Sequence, residues 1–293
     1  MIRYEGSIWR PPSEARSLIL QATVGCSHNG CIFCVSYKNK KYRVRGAEGI
    51  KRDLDGLPPR VKETTRRVFL ADGNALAMPT DELNIVLDTL SDNLPALERV
   101  GVYGYAKDVR EKTVDDLGNL RDAGLGIVYF GLETGDDALL RWARKGVGRA
   151  ESVEACRKIK AAGIPLSITI ILGLGGLERS EQHALATAGA LNEIDPEYVG
   201  ALTLMTPSGT MIHQMVAEGS FVPMHPMDIL RELRTLVAHL ELSECIFRTN
   251  HASNYLPVGG TLGRDKRSIL QTLDDAIQSD GQSQLRPGYM RGL

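Results

Sequence analysis

Short unbroken apolar runs alternate along the middle of this chain with longer segments whose apolar residues recur every three or four positions. The short runs predict strands buried on both faces, and the 3.6-residue pattern predicts helices. Residues 17–24 form the first such strand and residues 68–71 the second. A helix then opens at Thr80 as N-cap, with Leu83, Val86, Leu87 and Leu90 on one face. A third strand spans 99–103, followed by a helix opened by the capping box Thr113/Asp116, with Val114, Leu117 and Leu120 inward and Gly124 as its stop. The fourth strand covers 127–132, and a helix at 151–162 turns Val153, Cys156 and Ile159 inward before Gly163. Residues 166–172 form the fifth strand, 180–193 a helix, and 198–204 the sixth strand. Every crossover is long enough for parallel pairing.

After the sixth strand the pattern changes. Ile229, Leu233, Leu236, Val237 and Leu240 mark one helix, residues 245–247 a short strand, and residues 265–278 a final helix. The expected class is α/β: a partial (βα)6 TIM-like barrel with a mainly helical C-terminal extension. Its divisions are an irregular lead-in at 1–16, the barrel core at 17–205, an extension closing the barrel at 206–280 and a flexible tail at 281–293. The chain has 293 residues, 43% of them hydrophobic, enough for one large core. Its net charge of -1 gives no electrostatic footprint for nucleic acid. There is no apolar run long enough to span a bilayer and no apolar core of a signal peptide at the start. Five cysteines, three of them clustered, fit a reducing cytoplasm.

Those three, Cys26, Cys31 and Cys34, stand in a loop just past the first strand, where Gly25 breaks the apolar run. Three thiolates this close can converge on one soft metal site. A structural zinc asks for a fourth ligand, and no fourth cysteine is near. His28 is either that fourth ligand or a solvated loop histidine, and its loop position favours the second. A [4Fe-4S] cluster on three cysteines instead leaves one iron open. The basic stretch 37–45 reads as a solvated face or as the partner of an anionic substrate or electron-donor protein; charge runs favour the solvated face.

A compact three-cysteine loop after a first strand resembles the radical S-adenosylmethionine (SAM) superfamily, in particular its coproporphyrinogen-oxidase-like and Elp3/MiaB-like branch. The family's usual spacing is three residues and then two; here it is four and then two. Asn29 and Gly30 tolerate the positive φ that lets the longer loop fold back. The resemblance covers roughly residues 17–205 and implies a cytoplasmic enzyme with a [4Fe-4S] cluster and SAM as cofactors. It implies reductive cleavage of SAM to a 5′-deoxyadenosyl radical, which abstracts hydrogen from an unidentified substrate. A small-molecule substrate and an electron donor such as flavodoxin or ferredoxin would be the partners.

Carried onto this chain, the resemblance makes Cys26, Cys31 and Cys34 the metal ligands and puts Phe33 beside the adenine. Asp72, Gly73 and Asn74, after the second strand, correspond to a glycine-rich turn that holds the SAM amino group. Glu133, at the end of the fourth strand, matches a polar residue for the ribose or methionine part, and Lys145 a basic residue near the SAM carboxylate. Gly173 admits close approach of the adenine. The loop 249–255 gathers polar groups that converge either on a ligand or on their own backbone. On the first reading Asn250 and Asn254 face substrate and His251 exchanges a proton, with Tyr37 a second catalytic candidate. A haem- or cofactor-handling protein on the same fold is the alternative.

Overall fold

A computed structural model of the chain describes residues 2–279 and 285–292. In chain order the strands are β1 (Leu18–Gln21), β2 (Thr23–Val24), β3 (Arg43–Val44), β4 (Arg67–Ala71), β5 (Arg99–Gly104), β6 (Leu125–Glu133), β7 (Leu166–Leu172), β8 (Tyr198–Thr203), β9 (Ile246–Arg248) and β10 (Gly259–Thr261). The helices are α1 (Gly46–Asp55), α2 (Pro59–Thr64), α3 (Thr80–Asn93), α4 (Ala106–Arg110), α5 (Val114–Asp122), α6 (Asp137–Trp142), α7 (Arg149–Ala161), α8 (Ser180–Ile194), α9 (Met211–Ala217), α10 (Pro226–His239) and α11 (Lys266–Gln278). Among the described residues the strands form an eight-stranded sheet in the order β1-β4-β5-β6-β7-β8-β9-β10, and β2 and β3 pair separately. This is the α/β architecture expected, a mostly parallel sheet with helices in the crossovers, as in a partial TIM-like barrel.

By compactness the chain divides into two units: Met1–Asn29, Ser36–Gly131 and Glu154–Leu166 make the first, Gly30–Val35, Leu132–Val153 and Ser167–Leu293 the second. In the first, β1 pairs parallel with β4, and β4 with β5, in a register that sets Leu20 beside Leu70 and Leu70 beside Val102. These side chains are fully buried, as continuous apolar strands require. The first strand ends sooner than its apolar run. The chain turns at Ala22, and Thr23–Val24 pair antiparallel with Arg43–Val44 instead. The irregular lead-in is anchored: Glu14 is fully buried and bonds Arg99 and the Tyr129 hydroxyl, each at 2.5 Å. A carboxylate in that position needs these partners to repay its desolvation.

In the second unit β7 and β8 run parallel with Ile170 beside Ala201, and β8 continues parallel into β9. The extension therefore adds two strands to the sheet as well as helices, since β10 returns antiparallel on β9. Helix α10 begins at Pro226, three residues ahead of its apolar stripe, because Pro at the first turn has no N–H to leave unpaired and His225 caps Met227. Thr80 is the first residue of α3, with Pro79 at the cap position, rather than the cap itself. The expected tail at 281–293 lies partly outside the described residues, at 281–284 and 293. The rest of it is docked, not free: Leu285 is buried, and Arg286 and Arg291 are hydrogen-bonded to the backbone of residues 251–254 and 204. Among the described residues no helix is long and apolar enough to cross a membrane.

Candidate active site

The cysteine loop starts in the first unit. Gly25 has φ +74 and Asn29 φ +41, so the loop folds back at the two positions best able to take a left-handed backbone. The Asn29 side chain locks the return by donating to the Tyr37 carbonyl at 2.7 Å. Against this loop lies the turn after β4. A Cβ on Gly73 would collide with the Gly25 carbonyl and stand 2.6 Å from the Cys26 Cα. No side chain fits there, and the backbone of residue 73 touches the backbone of the first cysteine. Asn74 completes the contact: its Oδ1 accepts from the Ser27 N–H at 2.9 Å, and its Nδ2 donates to the Ser27 hydroxyl at 2.7 Å and to Asp108 at 2.6 Å.

Asp72 is fully buried, and its carboxylate is already engaged. Lys40 Nζ lies 2.5 Å from Oδ2, the Gln21 amide and the Gly25 N–H each reach the same oxygen at 3.3 Å, and the Gly73 N–H meets Oδ1 at 3.1 Å. Its carbonyl accepts from the Thr23 hydroxyl at 2.6 Å. The basic stretch is accordingly a solvated face only in part. Lys40 turns inward to Asp72 and the Ser7 carbonyl, and Lys38 donates to the Asn29 carbonyl at 3.1 Å. Both ammonium groups tie down the cysteine loop; Lys41 and Arg43 remain exposed. Tyr37 is 8% exposed, a core ring with the Lys40 ammonium 5.7 Å from its centroid. His28 stacks on Tyr105 at 5.3 Å rather than standing in solvent. Tyr42, beside them in sequence, has its hydroxyl pKa pushed up to about 12 by burial and by the negative charges of Asp108, Cys26 and Glu82.

In the second unit the loop is clasped from two sides. The Ile32 N–H donates to the Ala143 carbonyl at 3.1 Å, and the Ile212 N–H donates to the Ile32 carbonyl at 3.2 Å. Ile32 packs with Ala143, Ile171 and Leu174, and Phe33 lies against this cluster with Trp142, Leu204 and Met215. Glu133 and Lys145 form one pair: Nζ to Oε1 is 2.8 Å, with side chains only 12% and 9% exposed. Glu133 holds φ +65 at the end of β6.

Gly173, φ +78, donates its N–H to Glu232 Oε1 at 2.6 Å, and Ser180 donates to Oε2 at 2.7 Å. Burial pushes the Glu232 carboxyl up, against the opposing pull of His183 and of these two donors. His183 Nε2 bonds the Ile171 carbonyl at 3.0 Å and Nδ1 meets the Thr134 hydroxyl at 2.8 Å. Glu232, His183 and Asp108 are absent from the sequence reading. Glu232 had a signal: it falls three residues after Ile229, a charge inside the apolar stripe of α10. Asp108 closes a capping box whose other member is Tyr105, a residue type that gives no cap signal.

The loop at 249–255 is held by its own backbone and by β8. Asn254 is 3% exposed and fully used: Oδ1 accepts from the Thr203 hydroxyl at 2.8 Å, and Nδ2 donates to the Ala201 and Thr249 carbonyls at 2.8 and 2.9 Å. It is a pin between strand and loop, while Asn250 stays exposed. His251 Nδ1 accepts from the Ser253 N–H at 3.1 Å, and burial, then the charge of Arg286, hold its pKa below the ordinary value.

Cys26, Cys31 and Cys34 are unbridged and partly exposed, whereas Cys156 and Cys245 are buried core thiols. Burial drives the Cys156 thiol far up, away from thiolate chemistry. Among the described residues no three His, Cys, Asp or Glu side chains stand as a ready-made metal cage. Three partly exposed thiols on one short loop still have the donor chemistry of an iron–sulfur cluster.

No curated protein sequence matches the chain. Among solved structures it is similar to HydG, a maturase of the [FeFe]-hydrogenase (18% identity, TM-score 0.52, covering 77% of this chain and 50% of that one). It is similar to methylornithine synthase, PylB (17%, TM-score 0.54, 92% and 85%), and to coproporphyrinogen III oxidase, HemN, from Escherichia coli (16%, TM-score 0.57, 76% and 52%). The chain thus spans about half the length of the HydG and HemN chains. These likenesses concern the fold. In sequence, residues 20–188 match the Radical SAM superfamily, a stretch that takes in the cysteine loop, the turn at Gly73 and the Glu133–Lys145 pair. The chain belongs to the radical SAM superfamily, whose members use a [4Fe-4S] cluster and S-adenosylmethionine.

Proposed function

We propose that Cys26, Cys31 and Cys34 carry the cluster and that the turn at Gly73 and Asn74 receives the amino end of SAM beside it. The observation that carries this reading is the backbone contact of Gly73 with Gly25 and Cys26. It brings the turn after the second long strand to the first cysteine with no side chain intervening. A cluster and SAM held there would supply one-electron reductive cleavage of SAM, with hydrogen abstraction from substrate as its outcome. The chain's own residues bind and orient. Asp72 fixes the Gly25–Gly73 contact through Lys40 and the Gly25 N–H, and so serves as a positioning residue rather than a ligand to SAM. Lys145, held by Glu133, offers a cation to the SAM carboxylate. Phe33, packed against the cluster that holds Ile171, gives an apolar wall for the adenine. Glu232 holds the Gly173 N–H and with it the loop after β7. Chemistry at the C-terminal ends of parallel strands is the rule for barrels; Gly73 follows β4, Glu133 ends β6 and Gly173 follows β7. A small-molecule substrate and an external one-electron donor complete the reaction.

The test is anaerobic reconstitution, dithionite and SAM, scored for 5′-deoxyadenosine and for iron. The parent protein should bind four irons per cluster and form 5′-deoxyadenosine. The Cys31→Ala variant should lose both. Full iron content in Cys31→Ala would overturn the ligand assignment, and iron uptake without 5′-deoxyadenosine in the parent would overturn the activity.

A further inference from the structure

The docked C-terminal segment carries two arginines, and they are held differently. Arg291 uses all its nitrogens: Nε donates to the Ser253 carbonyl at 2.5 Å, Nη1 to the Tyr255 hydroxyl at 2.5 Å and Nη2 to the Leu204 carbonyl at 3.0 Å. Its guanidinium also lies 4.1 Å from the Tyr255 ring centroid. The Arg286 guanidinium is held by one nitrogen only. Nη1 points at the carbonyls of His251, Ala252 and Asn254, at 3.1, 2.8 and 3.0 Å. The edge formed by Nε and Nη2 has no protein acceptor among the described residues, and the side chain is partly exposed. That edge is the planar two-donor fork that matches an oxyanion.

Charge points the same way. Neither arginine is paired with a carboxylate among the described residues; burial, and to a smaller extent the charge of Arg286, holds the Arg291 pKa down against the opposing pull of Tyr255. The charge of Arg286 also disfavours protonation of His251. Two like charges this close, with only carbonyls and one phenol to offset them, leave a local excess of positive potential that an anion would relieve. The position suits a substrate. Arg291 reaches Leu204, the residue just past β8, whose N–H in turn bonds the Leu172 carbonyl at the end of β7. The Leu204 side chain packs in the same cluster as Phe33 of the cysteine loop.

We infer that the open edge of Arg286, fixed in direction by the 251–254 carbonyls and backed by Arg291, binds an oxyanion group of the substrate, a carboxylate or a phosphate. This rests on the reading of the chain as a SAM-cleaving enzyme, but the site can be tested without turnover. The full-length protein is treated with phenylglyoxal, which modifies accessible guanidinium groups, and adducts are mapped by peptide mass spectrometry. Parallel reactions contain succinate, inorganic phosphate or chloride at equal ionic strength. Adduct formation at Arg286 should slow several-fold with succinate, with phosphate or with both, relative to chloride. Arg291, its nitrogens engaged, should resist modification throughout. Protection by succinate alone identifies a carboxylate substrate, and by phosphate alone a phosphate ester. Equal rates at Arg286 in all three salts overturn the anion site. The same preparation is assayed for 5′-deoxyadenosine; failure there counts against the cluster assignment and does not alter the protection ratio.

Discussion

At the scale of residues, the candidate groups that looked separate in sequence are partners. Glu133 and Lys145, expected as two independent contacts to SAM, neutralise each other at 2.8 Å. A mostly buried pair is costly to break from one side, because the survivor keeps its desolvation penalty without its counter-ion. Glu133→Gln should therefore destabilise the protein by about 3 kcal/mol, read from chemical denaturation, while also weakening SAM binding. The double variant Glu133→Gln/Lys145→Met should recover much of the stability and none of the affinity. A single variant with unchanged stability would mean that the pair is not held closed in solution. Gly73→Ala makes the complementary case. Its φ of +46 and its contact with Cys26 leave no room for a methyl group, so the loop must shift. Iron uptake should fall well below that of the parent, while the far-ultraviolet circular dichroism stays the same. The sequence offered the types of these residues but not their pairing, because they stand 12 positions apart and only the folded backbone brings them together.

At the scale of elements, what repeats was legible and what is short was not. Strands β4 to β8 and helices α3, α5, α7 and α8 lie within a few residues of their patterns, since each buries a long apolar stripe. Helices α2, α4 and α6 have six, five and six residues, too few turns to show a period. Helix α6 is set instead by its cap. Asp136 accepts from the Ala138 and Leu139 N–H groups at 2.8 and 3.4 Å and from Arg179 at 2.6 Å. Burial raises its pKa, but Arg179 and the cap bonds together outweigh that and leave it below the usual 3.8. A carboxyl lowered on folding stabilises above its unfolded value and loses that contribution as pH falls through the folded one. Asp136→Asn should thus flatten the acid limb of the stability curve below pH 3.8, and at neutral pH it should cost about 1 kcal/mol. An acid limb identical to that of the parent would remove Asp136 from the accounting.

At the scale of the whole molecule, the part common to radical SAM proteins was readable from one sequence and the part particular to this chain was not. The cysteine loop and the parallel strands obey general rules of donor chemistry and periodicity. The docked segment from Leu285 to Gly292 obeys none: it has no period, and its two arginines bind carbonyls that any sequence possesses. The same holds for the basic stretch, where inward and outward lysines have the same one-letter signature. Lys40 gives that distinction a practical use. Its side chain is 11% exposed and its amine is bound to Asp72 and the Ser7 carbonyl, while its neighbour Lys41 is exposed. Under a mild acylating reagent Lys41 should react first and Lys40 should stay untouched for as long as the Asp72 turn grips the loop. Adjacent lysines would then form an internal gauge, one reporting reagent strength and the other the integrity of the cysteine loop, readable in air and without metal. Equal acylation of the two in freshly folded protein would show that the grip is not maintained in solution.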